Sequence, residues 1–148
     1  MVRIVPNLVT ERIESVKAGI VGAAAYAIAE VVIVLLKTII INALPKYDLT
    51  PTILSWELML QLSFGAVSGF LFGVTYRYII RDDRNSHLND GAVFAFGLVR
   101  GLALIENNLI WSKILSLLFL ITQSIVCFAI ARIVLDLAIE RKLIKPFV

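Results

Sequence analysis

Few side chains in this sequence can do chemistry, and they fall into two groups. The first is a charged stretch holding Asp82, Asp83, His87 and Asp90. Oxygen ligands of this kind suit a hard cation. Arg81 and Arg84 flank the acids and offset their charge, which favours a solvated loop over a cation site. His87 is the only histidine, so a histidine-rich metal centre is excluded. The second group comprises Glu30, Arg100 and Gln123, each inside an apolar run. A charge at a bilayer centre costs about 2.5–3.5 kcal/mol on insertion scales, and pairing an acid with a base is the simplest relief. Such a pair either fixes the register of two helices or offers a polar contact to a substrate, a proton or a pigment group.

The remaining motifs exclude more than they assign. The sequence holds no P-loop, no dinucleotide-binding glycine fingerprint, no HExxH and no GxSxG. Asp90-Gly91 opens like the alcohol phosphatidyltransferase signature, but the Ala-Arg pair and the further aspartates of that signature are missing. Cys127 is the one cysteine, so no internal disulfide forms, and its apolar neighbours mark it as a small buried hydrophobe. No catalytic residue and no metal ligand emerges.

The elements that must position these residues are legible in the composition. The chain has 148 residues, of which 59% are hydrophobic, and its mean hydropathy is +0.91. Soluble domains are about 45–50% apolar. The net charge of +3 does not indicate nucleic acid, because the basic residues border apolar runs, where they set topology. The apolar runs 18–36, 58–80, 91–105 and 114–131 predict an all-α integral membrane protein, a four-transmembrane-helix bundle with short loops in one domain. A bilayer core takes about 20 residues of helix, and the third run is the shortest. Residues 1–17 read as an amphipathic approach at the headgroups, with Leu8, Ile13, Val16 and Ile20 at helical spacing. Glu11 and Glu14 ahead of the first run, and the length of that run, argue against a cleaved signal. Pro45 and Pro51 break the chain after span one, and Tyr47 and Trp56 suit a membrane interface. Residues 132–145 read as a helical extension, with Arg132 and Asp136 as an i, i+4 pair.

Small residues mark the expected contacts between helices. Gly65, Gly69 and Gly73 recur every four residues and share one helix face. Gly97 and Gly101 flank Arg100 in the same way. In lipid, a face without side chains lets a second backbone approach closely. With the spans alternating in direction, Glu30, Gly69, Arg100 and Gln123 fall near one depth, and a Glu30–Arg100 pair is expected there.

The run Gly91-Ala-Val-Phe-Ala-Phe-Gly-Leu-Val-Arg-Gly-Leu-Ala-Leu-Ile-Glu106, with the glycine-rich span and the Tyr76-Arg77-Tyr78 exit before it, resembles a segment of small integral membrane proteins of cyanobacteria and plastids. That family has no established activity, so no catalytic residue is carried over. The resemblance implies a thylakoid or bacterial inner membrane. The expected function is that of a non-enzymatic accessory, assembly or structural subunit of a larger photosynthetic or respiratory membrane complex. A small oligomeric carrier or channel built on the Glu30/Arg100 pair is the alternative. The expected partners are the lipid bilayer and a membrane protein or a second copy, without nucleic acid. No cofactor is called for, although a bound lipid or pigment is compatible with the sequence.

Lysine and arginine counts orient the chain. Arg3, Arg12 and Lys17, then Arg77, Arg81 and Arg84, then Arg132, Arg141, Lys142 and Lys145 fall on one side, against Lys37, Lys46 and Lys113 on the other. The positive-inside rule then places both termini on the cytoplasmic or stromal side. Cysteines introduced at Ser86 and Asp48 in a Cys127→Ser background should label from opposite faces with an impermeant thiol reagent. Labelling of both from the same face would overturn this topology.

Overall fold

The computed structural model describes residues 8–43, 56–80, 86–104 and 114–145. These residues are all-α, with four helices in sequence: α1 Leu8–Ala43, α2 Trp56–Ile79, α3 Ser86–Ala103 and α4 Ile114–Glu140. Helices α1, α2 and α4 contain stretches long and apolar enough to cross a membrane, Leu8–Ile40, Leu58–Ile79 and Leu117–Glu140. Helix α3 has 18 residues and carries Asp90 and Arg100. At about 1.5 Å per residue it is roughly 27 Å long.

Several boundaries differ from the sequence reading. The N-terminal approach is helical and continuous with span one, since α1 runs from Leu8 through the first apolar run without a break. It has two faces: Leu8, Ile13, Val16 and Ile20 face outward, while Glu14 and Ser15 are buried in the bundle. Helix α3 starts at Ser86, so His87 and Asp90 are helical rather than parts of a loop. No proline or glycine interrupts Ser86-His87-Leu88-Asn89-Asp90, and an ion pair from Arg132 of α4 holds Asp90. The expected helical extension to residue 145 ends early, at Glu140. There the N–H groups of Lys142 and Leu143 bond back to the carbonyls of Ile139 and Ala138. Lys142 sits at φ 58°, the left-handed position that glycine usually fills after a helix. For a side chain this conformation costs about 1–2 kcal/mol. The turn it makes buries Ile144 and brings the Lys145 backbone onto α1 and α2. The expected breaks at Pro45 and Pro51, the interface residue Tyr47, and Arg81, Asp82, Asp83 and Arg84 lie outside the described residues. Trp56 opens α2 and is exposed.

The tightest packing is between α1 and α2 and between α3 and α4, both antiparallel, with α1 lying on α4 to close the bundle. The α1–α2 seam is backbone on backbone. A Cβ added at Gly22 would lie 2.5 Å from the carbonyl oxygen of Gly69 and 2.9 Å from the Cα of Gly73. One added at Gly73 would collide with the carbonyl of Ala18. Behind the seam an aromatic cluster fills the core. Phe128 lies 4.7 Å from Tyr26, 5.1 Å from Phe72 and 5.7 Å from Phe96, centroid to centroid. The offset and tilted ring arrangements match the preferred aromatic geometries.

The distribution of polarity is the reverse of that in a water-soluble domain. The buried set includes Glu14, Ser15, Glu30, Arg77, Arg100, Gln123 and Ser124, while leucine, isoleucine, valine and phenylalanine cover the outside of every helix. Helices apolar all round are those of membrane spans or large cores, and the three long helices mark a membrane-embedded protein.

Gly69→Leu should lower the thermal unfolding temperature in detergent sharply, by the equivalent of about 1–3 kcal/mol or more, because overpacking a filled seam forces backbones apart. Val67→Leu, on the exposed face of the same helix, should leave it unchanged. Equal stability of the two variants would mean that the seam opens without cost.

Candidate functional site

Three helices place one polar group each at the centre of the bundle: Glu30 from α1, Gln61 from α2 and Arg100 from α3. Glu30 is 1% exposed and Arg100 7% exposed. The Nε2 of Gln61 donates to Oε1 of Glu30 at 3.0 Å. The Nη2 of Arg100 donates to the backbone carbonyl of Gln61 at 2.9 Å. No ion pair joins Glu30 to Arg100 among the described residues; Gln61 stands between them, bonded to one through its side chain and to the other through its main chain. The expected direct pair is corrected to a relay across three helices. Two buried atoms of the relay, Oε2 of Glu30 and Nε of Arg100, have no hydrogen-bond partner among the described residues.

The glycines make room for this group. Gly65 differs from the other rungs of its ladder in facing side chains: a Cβ there would lie 2.5 Å from Oε2 of Glu30 and 2.6 Å from the Tyr26 ring. Gly69 faces the Cβ of Tyr26 and the backbone of Gly22 and Ala23, and Gly73 faces the α1 backbone alone. On α3, a Cβ at Gly97 would lie 2.8 Å from the Cα of Ile125, and one at Gly101 2.6 Å from the Cα of Ile121. These two close approaches to α4 hold α3 so that Arg100 between them reaches α2.

Gln123 does not join the relay. Its Oε1 accepts from Nζ of Lys37 at 2.5 Å, and the same ammonium lies 4.6 Å from the centre of the Phe119 ring. Lys37, expected from the sequence only as a charge for orientation, thus folds its chain along α4 and ties α1 to it. Long basic side chains behave this way at the edges of apolar surfaces.

A second polar cluster sits where α1 begins and α2 ends. Arg77 is fully buried. Its Nη2 bonds Oε2 of Glu11 at 2.5 Å, its Nη1 bonds the Glu11 carbonyl at 3.0 Å and Oγ of Ser15 at 2.7 Å, and its Nε bonds the Lys145 carbonyl at 2.9 Å. Glu14 accepts from Nζ of Lys17 at 2.8 Å and from the Lys145 backbone N–H at 3.0 Å. Beside it, Asp90 and Arg132 pair, Nε of Arg132 donates to the Tyr76 hydroxyl at 3.2 Å, and that hydroxyl donates to Asp136 at 2.8 Å. Arg132 and Asp136, the expected i, i+4 pair, are 3.7 Å apart.

Sequence reasoning passed over Gln61, Lys37 and the burial of Arg77. For Gln61 a signal existed: it lies four residues before Gly65 and therefore extends the glycine ladder by one rung. For Arg77, a position at the end of an apolar run carries no hint of what packs around it.

In chemical terms, donors and acceptors here serve mainly to join helices. Among the described residues no three His, Cys, Asp or Glu side chains gather as they would around a metal ion. Compared with known proteins, the chain matches no family model, no curated protein and no solved structure.

Gln61→Leu should leave Oε1 of Glu30 without a donor and cost about 1–3 kcal/mol, the usual penalty for stranding a buried polar group. In a Glu30→Gln background the same change should cost less, because contacting residues are coupled. A double-mutant cycle read by thermal unfolding in detergent or bicelles measures this. Strict additivity would show that the two side chains do not interact.

Proposed function

We propose that the chain is a non-enzymatic four-span membrane protein that acts as an accessory, assembly or structural subunit of a larger membrane complex. The observation that carries this reading is the use made of the interior polar groups. Arg77, Glu11, Ser15, Gln61, Lys37 and Gln123 bond across helices, so that the polar side chains lock the bundle and leave an apolar outer surface for lipid and partner helices. Structural polar groups of this kind fix helix register at some cost in stability.

Helix α3 serves as the fourth span. It runs antiparallel to α4, from the Asp90–Arg132 pair at one end to the contact of Gly101 with Ile121. The end of the bundle that gathers the start of α1, the end of α2 and the end of α4 also gathers Arg12, Lys17, Arg77, Arg132, Arg141, Lys142 and Lys145, and it faces the cytoplasm or stroma by the positive-inside rule. For the particular membrane the reading follows the resemblance, to a thylakoid or bacterial inner membrane, and the partner complex is then photosynthetic or respiratory.

A second reading, an oligomeric carrier or channel, is favoured by one observation: Oε2 of Glu30 and Nε of Arg100 are buried without a partner. The two readings separate on extraction of the tagged full chain from its native membrane in a mild detergent, followed by native gel electrophoresis and mass spectrometry. Comigration with a multisubunit complex, together with a lower yield of that complex when the chain is deleted, is the expected result. A homo-oligomer alone, with every large complex at its normal level after deletion, would overturn the assembly reading.

A further inference from the structure

A groove of about 360 Å³ opens on the bundle surface between α3 and α4. Phe94, Ile125 and Ile133 form apolar walls, and Ala129 lies between them. Asp90, Arg132 and Asp136 stand at its mouth. From Asp136 to Ile125 the groove follows α4 for about 16 Å at the helical rise. Charge at one end, at the level of the helix termini, and hydrocarbon along the rest repeat the polarity of one leaflet of a bilayer.

We propose that this groove binds one glycerophospholipid whose headgroup joins a phosphodiester to a primary ammonium, as in phosphatidylethanolamine. The charges at the mouth select it. The carboxylates of Asp90 and Asp136 are partly exposed, and each is paired with Arg132, whose side chain is 24% exposed. Arg132 gives Nε to the Tyr76 hydroxyl and Nη1 to Asp90, and its Nη2 makes no hydrogen bond among the described residues. Nη2 is thus the donor for a phosphodiester oxygen, a strong charge-assisted bond. The ammonium, with three N–H groups, meets the two carboxylates. The mouth carries one more acid than base, which disfavours an anionic headgroup such as phosphatidylglycerol. A choline headgroup has no N–H to give and binds less well. One acyl chain lies along Phe94, Ile125 and Ile133. The inference rests on the reading that α3 and α4 both cross the bilayer, which impermeant labelling of single cysteines at Ser86, Asn108 and Arg141 tests separately from any lipid measurement, Asn108 labelling from the face opposite to the other two.

The full chain in nanodiscs made from equal parts of phosphatidylethanolamine, phosphatidylcholine and phosphatidylglycerol, released into native mass spectrometry, reports which lipid stays bound. The expected result is one retained phosphatidylethanolamine. Asp90→Asn should lower its retention about tenfold, the effect of losing one hydrogen bond to a charged group. Ala129→Phe, or Ile133→Phe on the more exposed wall should the first variant not fold, should abolish retention of every lipid by filling the groove. Equal retention of the three headgroups, a preference for phosphatidylglycerol, or retention unchanged by Asp90→Asn and by the groove-filling variant would overturn the proposal.

Discussion

The α1–α2 seam sets the register on which the rest of the bundle depends. Lipid supplies no hydrophobic drive for one helix to meet another, so close packing of small residues must hold them. Gly22 meets Gly69 and Ala18 meets Gly73 with no side chain between the backbones. Each step of four residues along α1 is matched by a step of four back along α2, so Tyr26 meets Gly65 and Glu30 meets Gln61. At the other end the same register brings Ser15 and Glu11 to Arg77. A slip of one residue would turn Glu30 and Arg77 away from their partners together.

The polar groups then act as clamps placed along this seam and around it. In a medium that offers no hydrogen bonds, each buried donor must find a partner within the protein. Arg77 shows how completely this can be met: a rigid guanidinium, always charged, bonded by a carboxylate, a hydroxyl and two backbone carbonyls from the start of α1 and the turn after α4. The central relay meets the requirement less completely, because Gln61 satisfies one atom of Glu30 and one of Arg100 and leaves a second atom on each. The two clusters therefore differ in character. One is a closed fastening at the bundle end, and the other keeps unspent hydrogen-bonding capacity in its middle.

How much of this was legible in the sequence depended on how local the signal was. Length and apolar content gave the helices, and the spacing of Gly65, Gly69 and Gly73 identified one face of α2, the face on which α1 lies. The isolation of Glu30 and Arg100 in apolar runs marked them as buried polar groups. What bonds to them was not legible, because a partner is chosen by the register and rotation of two helices, a non-local property. Thus Gln61 was passed over, and Lys37 and Arg77 read only as charges for orientation. The N-terminal part of α1 showed the same limit. Periodicity revealed two faces, but only Arg77 and the Lys145 backbone, far away in sequence, decide that the acidic face turns inward. The stop at Glu140 was hidden because Lys142 takes a conformation that composition assigns to glycine.

The Arg77 fastening also has a time order. Glu11 and Ser15 precede Arg77 by 66 and 62 residues and exist before α2 is made. The Lys145 carbonyl follows it by 68 residues. At a synthesis rate of about 5–20 residues per second, that last acceptor emerges roughly 3–14 s later. The α1–α2 hairpin can therefore enter the membrane with its arginine already bound by α1 alone, and the turn after α4 arrives as the keystone of an assembly whose first half is in place.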